Sequence, residues 1–395
     1  MDKFNLYAVA ILLLIGIGLI AYLHILPNMT FDDYDYILFA HQMLSGTFNQ
    51  LQSPYAYGTG LIAVYALALS ISNSVTSIAI INSLAFFGLI LMLYIIVKDY
   101  FNKEVALVTT ICMELSAFII PYATRALPEM WIGLIYAIVF YLFYKAKNRP
   151  YLMLLGGLLA AFSTFFIFSG AAYGLILIFT ILLIKRQPKQ AGLFAIGFIA
   201  MLLLYMALLP VPLSQAPATF IHQAVVYMTN QANESFATIG SQLYTFSTFF
   251  IGTANTSNIQ QVYYSGAVSL FVIIGSILAW IKGDKDMKYQ SATFWLAMLY
   301  LMIGTVSVLN YTMMTVVDRY FILFAVPMAL LSAYTISWIM SVANKVNRRD
   351  IQIAIYITII ALVFLTNFYT LYLFHLNPQP KYYGAPLCGI DIVCK

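Results

Sequence analysis

Apolar runs long enough to cross a bilayer recur at 5–26, 77–97, 104–121, 129–144, 151–167, 170–184, 191–209, 263–281, 291–309, 320–341 and 351–374, with polar or charged turns between them. They predict eleven transmembrane helices. One further apolar stretch, "YGTGLIAVYALALSIS" at 57–72, is short, has two glycines near its start and is bounded by polar residues. It is read as a helix in the interface and not as a twelfth span. A different pattern follows the first run. In "DYDYILFAHQMLSGTF", Ile37, Ala40 and Leu44 recur at helical spacing, Tyr36, Phe39 and Met43 widen the apolar face, and Asp35, Gln42 and Ser45 stand opposite. This predicts a short amphipathic helix on the membrane surface, capped at its N-terminus by Thr30 or Asp32.

Composition agrees with the pattern. Of 395 residues, 63% are hydrophobic and only 8% are charged, with a mean hydropathy of +0.89, which excludes a soluble globular domain and leaves no surface for a nucleic-acid partner. The expected class is an all-α polytopic membrane protein folded as one domain, residues 1–395. No small-residue cleavage site follows the first run, so it is read as a retained helix. The basic residues then set the sidedness. With 57–72 in the interface and the N-terminus cytoplasmic, 15 of the 19 lysines and arginines fall in short inside loops, whereas a spanning 57–72 would leave five there. The chain is therefore expected to be a multi-pass cell-membrane protein with an external or lumenal C-terminus. The external side carries 27–76, the long loop 210–262, which is rich in Ser, Thr, Asn and Gln, and a tail, 375–395. Cytoplasmic loops of a few residues have no room for a domain, so any chemistry is expected outside. Three cysteines do not make a disulfide scaffold; Cys112 lies in an apolar run, and Cys388 and Cys394 are left open as a pair.

Charge in so apolar a chain is informative where it gathers outside. Asp32, Asp33 and Asp35 stand within four positions, Arg125 and Glu129 share the short loop "PYATRALPEM", and Asp318 and Arg319 open the tenth span. Capping and the helix dipole account for one or two of the three aspartates, and snorkelling or a local ion pair could account for each arginine. Taken together, carboxylates beside arginines at the membrane edge fit another chemistry. A guanidinium can grip a phosphate bidentately, and a carboxylate can take a proton from a hydroxyl nucleophile. A phosphate-bearing substrate reaching the external face would most naturally arrive on a lipid.

In chain order, the pieces are "DDYDYILFA" after the first span, "SPYAYGTGLIAVYALAL" before the second, "YATRALPE" between spans three and four, "LLGGLLAAFSTFF" in span five and the Arg-Tyr of "DRYFILFAVP". This ordered set resembles the GT-C membrane glycosyltransferases, in particular the branch of the protein O-mannosyltransferases and the bacterial lipid A aminoarabinose transferase. The resemblance covers residues 1–185 and, more weakly, 315–340. It implies a GT-C-like helical fold with external juxtamembrane helices. It also implies transfer, with inversion, from a polyprenyl- or dolichyl-phosphate sugar to a protein hydroxyl, lipid or glycan. Carried over by position, Asp32 would be the base and Asp33 its acidic partner. Arg125 and Arg319 would hold the donor phosphate, with Glu129, Tyr36, Asp35 and Tyr320 supporting them. The chain departs from the pattern in reading "FFIFSG" where many relatives have a basic residue at the end of span five, and in keeping Pro54 alone of a Pro-Pro pair.

No cofactor is expected to be required. The "DYD" at 33–35 matches a metal-holding Asp-x-Asp pattern, which leaves a divalent metal open, while His41 and His222 have no partner at ligand spacing for zinc. Glu114, inside span three, is read as a neutral interhelical donor or a wall of the lipid-phosphate cavity. Two rival readings remain: a transporter or flippase of a lipid-linked sugar, and a non-catalytic assembly subunit on the same scaffold. Transporters gather ionisable groups near the midplane, whereas here they gather at one face.

Overall fold

The computed structural model describes residues 3–22, 31–49, 58–116, 118–146, 149–167, 169–209, 211–212, 214–216, 218–219, 251–256, 259–264, 266–304, 321–343 and 349–376. The first helices are α1 (Lys3–Tyr22), α2 (Phe31–Leu44), α3 (Thr59–Ile71), α4 (Val75–Tyr100), α5 (Lys103–Glu114) and α6 (Glu129–Lys145). They are followed by α7 (Tyr151–Phe162), α8 (Ser169–Thr180) and α9 (Pro188–Ala207). The last four are α10 (Gly266–Lys282), α11 (Lys285–Gly304), α12 (Ala325–Ala343) and α13 (Arg349–Leu376). Among the described residues, five stretches are long and apolar enough to cross a membrane: Lys3–Tyr22, Val75–Tyr100, Pro188–Ala207, Phe321–Ala343 and Arg349–Asn367. Strand pairing among the described residues is confined to a hairpin, β1 (Ile251–Thr256) with β2 (Ile259–Tyr264), antiparallel with Ile251 opposite Tyr264. It takes up the end of the 210–262 loop and the first residues of the run expected at 263–281, so α10 starts only at Gly266.

The stretch at 57–72 folds as the helix α3. Its 13 residues reach about 20 Å, short of a hydrocarbon layer of about 30 Å. The apolar run 104–121 does not make one helix. α5 stops at Glu114, and the chain continues as successive turns to Pro128, including a 3-10 turn at Ile120–Tyr122. Most of the described part of this segment is buried, so its backbone polar groups must find partners within the protein.

Close helix contacts rest on glycine. α7 and α9 cross where the Cβ position of Gly157 is occupied by the carbonyl oxygen of Phe194, and that of Gly197 by the carbonyl oxygen of Leu154. Each helix thus packs backbone against backbone, the small-residue mode that brings membrane helices together.

The charged turns collect at one end of the bundle. Lys145 pairs with Asp99 at 2.9 Å, the Tyr144 hydroxyl donates to the Asp99 carbonyl at 3.0 Å, and Lys185 pairs with Asp286 at 3.1 Å. Tyr100 stacks obliquely on Tyr144 and lies within electrostatic reach of Asp286. The N-terminus of α1 is at this end too, through the Tyr94 hydroxyl on Asn5 and Lys103 over the Phe4 ring.

Gly197→Leu should therefore force α7 and α9 apart and cost about 1–3 kcal/mol or more. Gly192→Leu on the same helix, where nothing lies within 4 Å of the new Cβ, should leave the melting temperature in detergent nearly unchanged.

Candidate functional site

The opposite end of the bundle holds the acidic helix. The buried positions of α2 are Asp33, Tyr36, Ile37 and Ala40, one stripe at helical spacing. Tyr36, Ile37 and Ala40 lie on the expected apolar face; Leu44 at its C-terminal end is 48% exposed, while the face runs back by one turn to Asp33, which is fully buried. The reason is a partner. Arg125, on the turns between α5 and α6, donates to Asp33 Oδ2 from Nη2 at 2.8 Å and from Nε at 3.3 Å. An aspartate so paired can be buried where an isolated one could not. α2 ends at Gly46, whose φ of +72° is the left-handed conformation that favours glycine, with Thr47 N–H closing back on the Gln42 carbonyl.

Of the two expected caps, Asp32 lies within the first turn of α2, and Thr30 is outside the described residues. Asp35 is half-buried. Glu129 opens α6 and is buried, in the first turn where the helix dipole favours a carboxylate. Arg319, Tyr320, Pro54, His222, Cys388 and Cys394 lie outside the described residues. The structure thus brings together Asp33, Arg125, Glu129 and Tyr36, the last packing its ring edge-on against Tyr65 of α3 with centroids 6.4 Å apart.

Tyr65 is one of three polar residues of this site that the sequence reading missed. Its hydroxyl donates to Asn82 Oδ1 at 3.0 Å. Asn82, fully buried on α4, accepts from Trp131 Nε1 at 2.7 Å and donates through Nδ2 to the Arg125 carbonyl. Burial holds the Tyr65 phenol well above its ordinary range, and the nearby charges of Asp33 and Glu129 push it further; the Asn82 hydrogen bond pulls the other way without prevailing. Tyr65 is therefore a protonated donor beside both carboxylates. A sequence signal for Asn82 existed: an amide in the apolar run 77–97 must find partners inside the protein.

The two glycines at the start of α3 have a use here. A Cβ on Gly58 would stand 2.9 Å from the Tyr36 ring, and one on Gly60 equally close to Phe165. Their absence of side chains seats α3 against α2 and against the turn that closes α7. The "FFIFSG" segment contributes aromatic packing, with Phe166 stacked on Trp131 at 6.0 Å. Glu114 is buried below the site near Gly16 of α1, and neither of its carboxyl oxygens has a hydrogen-bond partner among the described residues. No group of three or more His, Cys, Asp and Glu among the described residues is placed to hold a metal ion.

No family model and no curated protein sequence matches this chain. Solved structures do. The chain is similar to the oligosaccharyltransferase of Archaeoglobus fulgidus tethered to an acceptor peptide containing the NVT sequon, with a TM-score of 0.58 at 13% identity, over 98% of this chain and 56% of that one. The apo form gives 0.56 at 12% identity, over 98% and 57%, and the complex with zinc and sulfate gives 0.56 at 14%, over 95% and 53%. The likeness establishes a GT-C-like fold, and the chain spans a little over half the length of those structures.

Removing either partner of the buried pair strands a charge. Asp33→Asn and Arg125→Met are each expected to destabilise the protein by about 3–5 kcal/mol, and the double change Asp33→Leu with Arg125→Met to recover most of it. Unfolding of the three purified variants in detergent checks this.

Proposed function

We propose that this chain is an integral-membrane glycosyltransferase that moves a sugar from a polyprenyl- or dolichyl-phosphate donor to an acceptor hydroxyl at the external membrane face. The observation that carries the reading is the buried Asp33–Arg125 pair, which sets a cation beside the acidic turn of a GT-C-like fold. Sidedness follows from the basic turns. Asn82 and Asp99 lie about 25 Å apart along α4, so the site and the lysine-rich end face opposite sides, and the positive end belongs in the cytoplasm.

In this reading Asp32 takes the proton of the acceptor hydroxyl, with Asp33 as its acidic neighbour. The acceptor oxygen attacks the anomeric carbon from the side opposite the phosphate. The bond from that carbon to the phosphate oxygen breaks, the lipid phosphate leaves with the electron pair, and the configuration inverts. Arg125 and Arg319 balance the charge on the leaving phosphate; a guanidinium has five N–H donors, enough for one arginine to hold Asp33 and a phosphate together. Glu129, Tyr36, Asp35 and Tyr320 shape and orient the site. The reaction balances without a cofactor. The acceptor is a protein, lipid or glycan; the acceptor peptide in the archaeal structure supports trying a peptide first.

The test follows release of polyprenyl phosphate by mass spectrometry from a panel of lipid-phosphate sugars. Wild type should turn over one donor, and Asp32→Asn should abolish turnover with expression and melting temperature intact. Arg319→Ala should raise the KM for donor more than that for acceptor. No turnover with any donor, together with donor crossing the bilayer of reconstituted vesicles, would make the protein a carrier.

A further inference from the structure

Arg125 sits on backbone that is neither helix nor strand, so something other than a hydrogen-bond ladder must hold it. The Arg125 carbonyl receives the Leu127 N–H at 2.8 Å and the Asn82 amide. The same Asn82 side chain binds Tyr65 of α3 and Trp131 of α6, and Tyr65 reaches on to the Leu127 carbonyl at 3.4 Å. One carboxamide of α4 thus ties together α3, the turns that carry Arg125 and the first turns of α6 that follow Glu129. All of its donor and acceptor atoms are engaged, and it is fully buried.

We propose that Asn82 is a positioning residue that clamps the 122–128 turns, and through them holds the Arg125 guanidinium against Asp33. The inference deepens the glycosyltransferase reading and rests on it for its effect on rate. Asn82 touches no reacting atom. It acts by fixing the backbone of Arg125, so its removal leaves the guanidinium present but displaced. A misplacement of about 1 Å can cost about a hundredfold in rate.

Two readouts test it, one independent of any activity. In the purified full-length protein the Arg125–Ala126 bond should resist trypsin, because Arg125 and Ala126 are buried. Asn82→Ala should open that bond to cleavage. Gly197→Leu, which loosens a distant helix crossing, should not do so at matched loss of melting temperature. Asn82→Asp, nearly isosteric but without the amide donors, serves as the second variant should the alanine form fail to fold, and is expected to release the same bond. Resistance equal to wild type in the folded variant overturns the clamp.

The second readout is donor turnover. Asn82→Ala should lower kcat about a hundredfold in the native chain and make little further difference in an Arg125→Ala chain. An equal drop in both backgrounds would show that Asn82 does not act through Arg125. If wild type turns over no donor, the glycosyltransferase reading fails, and the protease pattern alone decides for or against the clamp.

Discussion

A carboxylate can stay charged inside a protein only where an opposite charge is delivered to it and kept there, and the Asp33–Arg125 pair imposes that demand on everything around it. Arg125 can meet α2 because α5 gives up its helix at Glu114 and the chain turns back across the bundle. Buried turns need partners for their carbonyls, and Asn82 and Tyr65 supply them. Tyr65 is in reach with α3 seated closely, through Gly58 and Gly60, against α2 and the turn that closes α7. The break after α5 and the close seat of α3 thereby serve one ion pair.

Much of the fold was legible in the hydrophobic pattern, since helices with an apolar face or an apolar girth declare themselves through composition and length. The run at 104–121 shows where that stops. A buried turn whose carbonyls are met by side chains is as apolar as a helix, so "CMELSAFIIPY" reads like a span while the backbone leaves the helix halfway through. The hairpin strands 251–256 and 259–264 were hidden for a different reason: their residues are polar and mixed, and two strands of six residues leave little trace in periodicity.

The site was legible in part. Asp33, Arg125 and Glu129 stand out because charge is scarce in this chain, and the structure groups them. The orientation of α2 was legible from Tyr36, Ile37 and Ala40, but the burial of Asp33 was not, because a search for apolar stripes weighs only apolar positions, whereas the guanidinium lets an aspartate extend the buried face. Tyr65, Asn82 and Trp131 were passed over because each is common in an apolar segment and acts only in combination.

The separation of 92 positions from Asp33 to Arg125 also bears on how the protein is made. At a synthesis rate of about 5–20 residues per second, α2 emerges about 5–20 s before its counter-ion exists. In that interval Asp33 awaits Arg125 and must stay hydrated, and α2 cannot take its final seat. The pair closes only after α3, α4 and α5 have been laid down, so it records the completion of about the first third of the chain, and the acidic helix docks late although it is made early.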